Sequence, residues 1–220
     1  MADLAPATGR ELERVLAAML DSKLIKYAAE SEYKPFFESL FTKEAIITAS
    51  IVHSFYTSFG MSLYEQMAVI LAKARGWHAE RQYVVYGSID PGTEALIHTI
   101  CARTSKPDKL TEIEEIRRSI KPGKPDKDKE SIADVFVRRD DKSEVLVDIT
   151  TTKGNLKEYR ALRRKLLRWC ALRFSQDREV HLSTYIGMPY NPYHPQPYER
   201  WTAGECDPVH LNSTRRVAVV

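Results

Sequence analysis

Residues 132–155, IADVFVRRDDKSEVLVDITTTKGN, decide the fold of this 220-residue chain. Two runs rich in Val, Ile, Leu and Phe flank a polar tip at residues 138–143, and this pattern predicts a β-hairpin. If the tip lies near Asp141, residues whose numbers sum to about 282 face each other, which sets Asp134 opposite Asp148. The Cβ atoms of these two residues are then roughly 4.5–5.5 Å apart.

Two carboxylates at one spot repel each other unless a divalent cation or a cationic side chain lies between them. A metal site is therefore the sharper hypothesis for Asp134 and Asp148. In the alternative, both residues lie at strand ends in solvent. Apolar residues on both faces of the hairpin favour a central strand pair, in which a buried Asp requires a specific role.

Composition leaves several classes of protein open. The chain has 33 Lys and Arg against 30 Asp and Glu, a net charge of +3 that permits nucleic-acid binding without requiring it. No apolar run approaches the roughly 20 residues of a membrane span, and the N-terminus lacks signal-peptide features, so we expect a cytoplasmic protein. Cys101, Cys170 and Cys206 lack the spacing of a zinc site or a disulfide framework, which predicts reduced thiols.

The region before the hairpin is predicted to be largely helical. Residues 9–30 show amphipathic spacing, and residues 34–59 form a second helical region; we assign no chemistry to either. Ser62 and Glu65 match the Ser-x-x-Glu capping box before a helix that ends at Gly76. Glu65 is therefore either this cap or a carboxylate that the helix carries to the hairpin.

Around the hairpin, residues 81–87 predict a strand and residues 93–103 a helix. Residues 104–130 are charged and carry three prolines, which predicts a short polar helix and then a loop. That loop is either a solvated linker or a flap facing DNA. Residues 179–187 predict a third strand, residues 188–201 an irregular packed loop, and residues 202–220 show no clear pattern.

Residues 156–174 show the strongest helical pattern in the chain. Leu162, Leu166 and Trp169 fall on one side, whereas basic residues with almost no acidic partners on this helix occupy the rest. Such a face suits phosphate contacts, although an ordinary exposed helix face is the alternative. The candidate DNA-binding residues are Arg160, Arg163, Arg164 and Arg168.

The order of these elements resembles the PD-(D/E)xK nuclease core. More specifically, the chain resembles the TdeIII-type family of type II restriction endonucleases over roughly two thirds of its length. The blocks that carry the resemblance are SLYEQMAVILAKA (62–74), IADVFV (132–137), VDITTTKGN (147–155), KLLRWCALR (165–173) and PYNPYHPQPYERW (189–201).

The resemblance implies an α/β fold with a restriction-endonuclease-like core, a mixed β-sheet flanked by helices. The length suits one domain over residues 1–220, for which we expect a helical part (1–60), the nuclease core (62–201) and a tail (202–220) that is disordered or truncated. The implied activity is Mg²⁺-dependent hydrolysis of phosphodiester bonds in double-stranded DNA at a short palindromic site. A homodimer, and a cognate DNA methyltransferase in the same system, are the implied partners.

The resemblance also assigns roles to single residues. Asp134 matches the first metal-binding Asp, Asp148 matches the acidic residue of the (D/E)xK element, and Glu65 fits the carboxylate borne by a helix. Two positions after Asp148 the pattern requires Lys, but the chain has Thr150, which carries no charge. Our hypothesis is that Lys153 replaces the missing lysine by reaching back to the site.

Two alternatives to an active restriction enzyme stay open at this point. One is a DNA-binding remnant that keeps the fold and the carboxylates without effective lysine chemistry. The other is a repair or junction-resolving nuclease of the same fold. We also expect relatives to continue with ordered structure after residue 201, so truncation or frameshift is one explanation of the tail.

Overall fold

The computed structural model describes residues 4–26, 35–58, 62–124, 131–150, 154–196 and 198. The chain forms two compact units, Met1–Ile70 and Leu71–Val220. The described helices that lie wholly within the first unit are α1 (Pro6–Lys26), α2 (Pro35–Glu38) and α3 (Lys43–Ser58). The predicted division into residues 1–60 and 62–201 stays a prediction, and the predicted tail, 202–220, lies outside the described residues.

Helix α4 (Tyr64–Ala74) ends as its sequence predicts. Gly76 adopts a φ of +80°, a conformation that glycine accepts readily. Its N–H donates to the carbonyl of Lys73 at 2.9 Å, and the N–H of Trp77 donates to the carbonyl of Ala72 at 3.2 Å. These two bonds form a Schellman motif, so the predicted glycine C-cap is confirmed.

The second unit contains a four-stranded sheet in the order β1-β2-β3-β4. Its strands are β1 (His78–Val84), β2 (Ile132–Arg138), β3 (Glu144–Ile149) and β4 (Leu182–Gly187). The β1–β2 and β2–β3 pairs are antiparallel, and β3 pairs with β4 in parallel. Strand β1 begins before the predicted strand because several of its residues are polar and exposed at the sheet edge, where apolar alternation gives no signal.

The hairpin of β2 and β3 has the predicted register. The pairs Val135–Val147, Phe136–Leu146 and Val137–Val145 all sum to 282. At the tip, the N–H of Arg139 donates to the carbonyl of Ser143 at 3.0 Å. This register matters for the site because a slip of one residue would move every side chain to the other face of the sheet.

Helix α7 (Leu156–Gln176) connects β3 to β4. Parallel neighbours require such a crossover, because a short turn cannot bring the chain back to the same end of the sheet. The helix begins with a capping box: the Asn155 side chain accepts from the N–H of Glu158 at 3.0 Å, and the Glu158 carboxylate accepts from the N–H of Asn155 at 2.6 Å. The predicted helix over residues 156–174 is therefore confirmed with almost the same bounds.

Helix α7 lies between the sheet and two further helices, α5 (Pro91–Ala102) and α6 (Lys109–Ser119). One apolar cluster joins the sheet to α7, and a second joins α7 to α5 and α6. From α7, the first cluster contains Tyr159, Leu166, Trp169 and Leu172, and the second contains Leu167, Cys170, Ala171 and Phe174. Within the described part of the chain, every helix falls short of the length and apolarity that crossing a bilayer requires.

Candidate functional site

Asp134 and Asp148 lie side by side at the centre of the sheet. Continuing the β2–β3 register one pair beyond Val135–Val147 brings these two residues opposite each other. Asp148 is only 5% exposed, and Asp134 is half-buried. The predicted facing pair is therefore present, and the alternative of two solvated strand ends does not describe it.

Proximity and burial change the acidity of Asp134. Burial is the largest cause that raises the pKa of Asp134, to about 6, and the negative charge of Asp148 adds to it. When protonated, Asp134 can donate a hydrogen bond to the Asp148 carboxylate, which raises the pKa further. The backbone N–H of Ile149 and the charge of Lys165 act in the opposite direction. Near neutral pH, the positive charge of Lys165 therefore does not fully balance the negative charges of Asp134 and Asp148.

Two donors fix the orientation of the Asp134 carboxylate. The N–H of Ile149 donates to Oδ2 at 2.6 Å, and the side-chain amide of Gln82 donates to Oδ1 at 3.4 Å. Gln82 has a φ of +49°, an uncommon conformation for a residue with a side chain. Strand β1 thereby contributes a contact to a carboxylate that belongs to β2.

A cation reaches the pair from helix α7. The Nζ of Lys165 lies 2.9 Å from Oδ2 of Asp148, and the Lys165 side chain is 28% exposed. Its ammonium also lies over the ring of Trp169, 5.1 Å from the centroid. The described part of the site thus combines two adjacent carboxylates with one lysine.

The donor set suits a hard divalent cation. Mg²⁺ prefers oxygen ligands and is usually held by one or two carboxylates, with water and phosphate oxygens completing the shell. Among the described residues, no group of three or more His, Cys, Asp or Glu side chains could hold a metal ion. Asp134 and Asp148 therefore fit a magnesium ion that takes its other ligands from solvent and substrate.

The four arginines predicted to bind DNA have different surroundings. Arg163 is 3% exposed and forms an ion pair with Glu112 of α6. This placement favours a structural role for Arg163, because a buried and paired guanidinium does not reach the surface. The sequence pattern gave no sign of this partner, which comes from another helix, and a DNA contact by Arg163 stays a prediction.

Arg164 and Arg168 share one partner. Both form ion pairs with Glu94 of α5, at 3.0 Å for Arg164, and the Arg168 side chain is 15% exposed. Their charge is thus partly balanced within the protein. Arg160 is exposed and is the candidate among the four whose position suits DNA best.

Sequence reasoning missed Lys165 as a site residue. One signal was available: the residues three and four positions away on either side are Ala161, Leu162, Arg168 and Trp169, so no acidic partner lies on the same helix face. A lysine that lies beside an apolar stripe and has no acidic partner on its own helix indicates an acidic partner on the element against which the helix packs.

Comparison with known proteins identifies the family of this chain. The model of a family described as type II restriction endonuclease, HinfI, matches residues 7–209. The chain belongs to this HinfI family of type II restriction endonucleases.

One curated relative of this HinfI-family chain is the type II restriction enzyme HgiCII from Herpetosiphon aurantiacus. The two are 25% identical over 179 residues, which is 79% of this chain. The chain spans 64% of the length of that relative. No solved structure matches. The mixed sheet flanked by helices is compatible with a restriction-endonuclease-like fold.

The remaining predicted site residues of this HinfI-family chain stay predictions. Glu65 is buried in the first unit, 2% exposed, and its role as a further carboxylate ligand is untested. Lys153 lies outside the described residues. Thr150, where the PD-(D/E)xK pattern requires Lys, donates its backbone N–H to the carbonyl of Gly187 at 3.0 Å. The residue that directly follows the strand of Asp148 is therefore neutral.

Proposed function

We propose that this chain is a type II site-specific deoxyribonuclease that hydrolyses phosphodiester bonds of double-stranded DNA at a short sequence, with Mg²⁺ as cofactor. The observation that supports it best is the facing pair of half-buried Asp134 and buried Asp148 in a chain of a restriction endonuclease family. A buried carboxylate pair costs stability unless a function requires it.

Asp134 and Asp148 would hold the cation in this proposal. Ile149 and Gln82 keep the Asp134 carboxylate aimed into the site. Bound Mg²⁺ would act as a Lewis acid on the phosphodiester and lower the pKa of a water molecule. The raised pKa of Asp134 means that cation binding below about pH 6 must displace a proton.

Finer features belong to the same proposal. Glu65 would serve as an additional carboxylate, Lys153 as an assisting cation, and Arg160 as a DNA contact. The protein would work as a homodimer on a palindromic site in the cytoplasm, beside a cognate DNA methyltransferase, and would be of the TdeIII type. The resemblance to that family supports Glu65, the homodimer, the palindromic site and the methyltransferase, whereas the exposed basic face of α7 supports Arg160. Lys153 is the lysine nearest to the position at which the chain departs from the pattern.

Plasmid cleavage tests the activity. The wild-type protein should convert supercoiled DNA into discrete fragments with Mg²⁺, and Asp134→Asn and Asp148→Asn should each reduce the cleavage rate by at least about 100-fold. Asp140→Asn is the matched control, because Asp140 is an exposed carboxylate at the tip of the same hairpin. Absence of cleavage by the wild-type protein on DNA of high sequence diversity would contradict the proposal.

Thr150 favours a second candidate, the DNA-binding remnant. A remnant would bind DNA in Ca²⁺, which supports binding without hydrolysis, and would leave DNA intact in Mg²⁺. Cleavage that follows DNA structure instead of sequence would favour a repair or junction-resolving nuclease. Cleavage in Mg²⁺ therefore separates the remnant from the two nucleases, and the ends of the cut DNA separate those two from each other.

A further inference from the structure

The site lacks a lysine on the strand where the family pattern places one. Thr150 follows Asp148 by two positions and so lies on the same face of its chain segment. Its hydroxyl is neutral and cannot replace an ammonium group. A cation for this site must therefore come from another part of the chain.

Lys165, on helix α7, brings an ammonium group to the carboxylate pair, where position 150 provides none. Its Nζ contacts Asp148 at 2.9 Å, and the register of the hairpin sets Asp134 opposite Asp148, so the ammonium lies at the carboxylate pair. The side chain is 28% exposed, whereas that of Asp148 is 7% exposed. The amine thus lies at the boundary between the buried pair and solvent, which is the side that a substrate can approach.

Packing determines this position. Helix α7 is held by its capping box at Asn155, and the neighbours Leu166 and Trp169 are fully buried against the sheet. The Trp169 ring lies under the Lys165 ammonium and restricts its side chain. Because Lys165 has no acidic neighbour on its own helix, the contact with Asp148 does not compete with a helical ion pair.

We infer that Lys165 is the catalytic lysine of this site and acts from α7 in place of a lysine at position 150. The inference rests on the proposed nuclease function. In the reaction, the oxygen of a water molecule bonds to phosphorus while the bond from phosphorus to one bridging oxygen breaks. The water's OH joins the phosphate, and its other hydrogen ends on the leaving oxygen. The ammonium orients the water and stabilises the negative charge that grows on the phosphate.

A purely structural lysine would behave differently. If Lys165 only balanced the charge of Asp134 and Asp148, a bound divalent cation would take over that task. Removal of the lysine would then alter stability without metal, but the rate of cleavage at saturating Mg²⁺ would not change. The catalytic and the structural role therefore predict different rates of DNA cleavage for a variant without the lysine at saturating Mg²⁺.

Lys165→Met is the main test variant, because Met keeps an apolar stem against Trp169 and removes the charge. Single-turnover cleavage should fall about 100-fold to 1000-fold at saturating Mg²⁺. Lys165→Arg, which keeps a positive charge, should recover part of the rate. Lys43→Met, at an exposed lysine of α3, is the control and should cleave like the wild type.

Binding of Ca²⁺, measured by calorimetry, gives a readout besides activity. Lys165→Met should bind Ca²⁺ at least as tightly as the wild type, because an ammonium beside the carboxylates repels a cation. Circular dichroism and thermal melting verify the fold of each variant, and Lys165→Gln replaces the Met variant if that one unfolds.

The outcomes separate the inference from the function on which it rests. Wild-type cleavage together with full activity of Lys165→Met and Lys165→Gln at saturating Mg²⁺ would falsify the inference and leave the nuclease intact. Loss of activity in Lys153→Ala with full activity in Lys165→Met would move the role to Lys153. A wild-type protein that does not cleave DNA defeats both.

Discussion

Lys165 contacts Asp148 at 2.9 Å, and further along the same helix Arg173 contacts Glu144 at 2.8 Å. The two basic residues lie about 12 Å apart along α7 at the rise of an α-helix. The two acidic residues lie about 13 Å apart along β3 at the rise of a strand. Because the spans match, these two ion pairs set the position of an antiparallel helix on its strand.

Breaking the Arg173–Glu144 pair should loosen this arrangement. The guanidinium makes two hydrogen bonds to Glu144, at 2.8 and 3.0 Å, and both side chains are mostly buried. We expect Arg173→Met to lower the free energy of unfolding by about 2–3 kcal/mol, because it leaves a buried carboxylate without its partner. Urea denaturation measures this change.

A double-mutant cycle provides the control for that prediction. The combination of Arg173→Met with Glu144→Gln should cost less than the sum of the two single changes, because the second change removes the orphaned charge. Additive costs would show that the two side chains do not interact in solution.

Asp134 should make the metal-free protein less stable as the pH rises. Its pKa is raised by folding from 3.8 to about 6, so the folded state binds the proton more tightly than the unfolded state. The free energy of unfolding therefore falls as the pH increases from about 4 to beyond 6. In EDTA at pH 8, the free energy of unfolding of Asp134→Asn should exceed that of the wild type by about 1–2 kcal/mol. This range already includes a reduction for solvent screening.

The pH dependence of that gain is the decisive measurement. Thermal melts of Asp134→Asn and wild type should converge below about pH 3.8, where Asp134 is protonated in both the folded and the unfolded state. Asp140→Asn, at the exposed tip of the hairpin, should follow the wild type at every pH. If the free energy of unfolding of Asp134→Asn exceeded that of the wild type equally at pH 4 and pH 8, the gain would come from packing and not from the removed charge.

Substitution of Arg160 should affect DNA binding, whereas substitution of Arg163 should affect stability. Arg160→Ala, at an exposed position, should weaken DNA binding in Ca²⁺ and reduce the slope of log affinity against log salt by about 1. Arg163→Ala should instead lower the free energy of unfolding by about 3–5 kcal/mol, because it leaves Glu112 buried without its cation. A stable Arg163→Ala protein with weakened DNA binding would contradict this assignment.

Gly87 should not tolerate a side chain. A Cβ atom at this position would lie 2.1 Å from the carbonyl oxygen of Leu172, a backbone atom near the C-terminal end of α7. We expect Gly87→Ala to lower the free energy of unfolding by more than about 2 kcal/mol, because backbone on both sides must shift. Gly9→Ala, whose Cβ meets nothing within 4 Å in α1, is the tolerated counterpart.

The hairpin and the long helix were predictable because their signals are local. Alternating apolar residues and a polar tip determine the register that brings Asp134 to Asp148. The capping box at Asn155 and the apolar stripe of α7 likewise belong to one continuous segment.

The partners of the basic residues were not predictable, because they come from distant segments. Glu94 and Glu112 belong to α5 and α6, and they meet α7 only when the helices pack against each other. A helix that looks unbalanced along the chain is therefore largely neutralised in the fold. For the same reason, the contact between Lys165 and Asp148 required the three-dimensional position of α7 on the sheet.

The crossover from β3 to β4 has a consequence for the order of synthesis. Asp134 and Asp148 leave the ribosome before Lys165, and the helix that carries the lysine gains its full apolar cover only after β4 joins the sheet. Under the proposed assignment, a nascent or partly folded chain holds carboxylates without their amine. Under the same assignment, such a chain would not hydrolyse DNA until α7 has packed against the sheet.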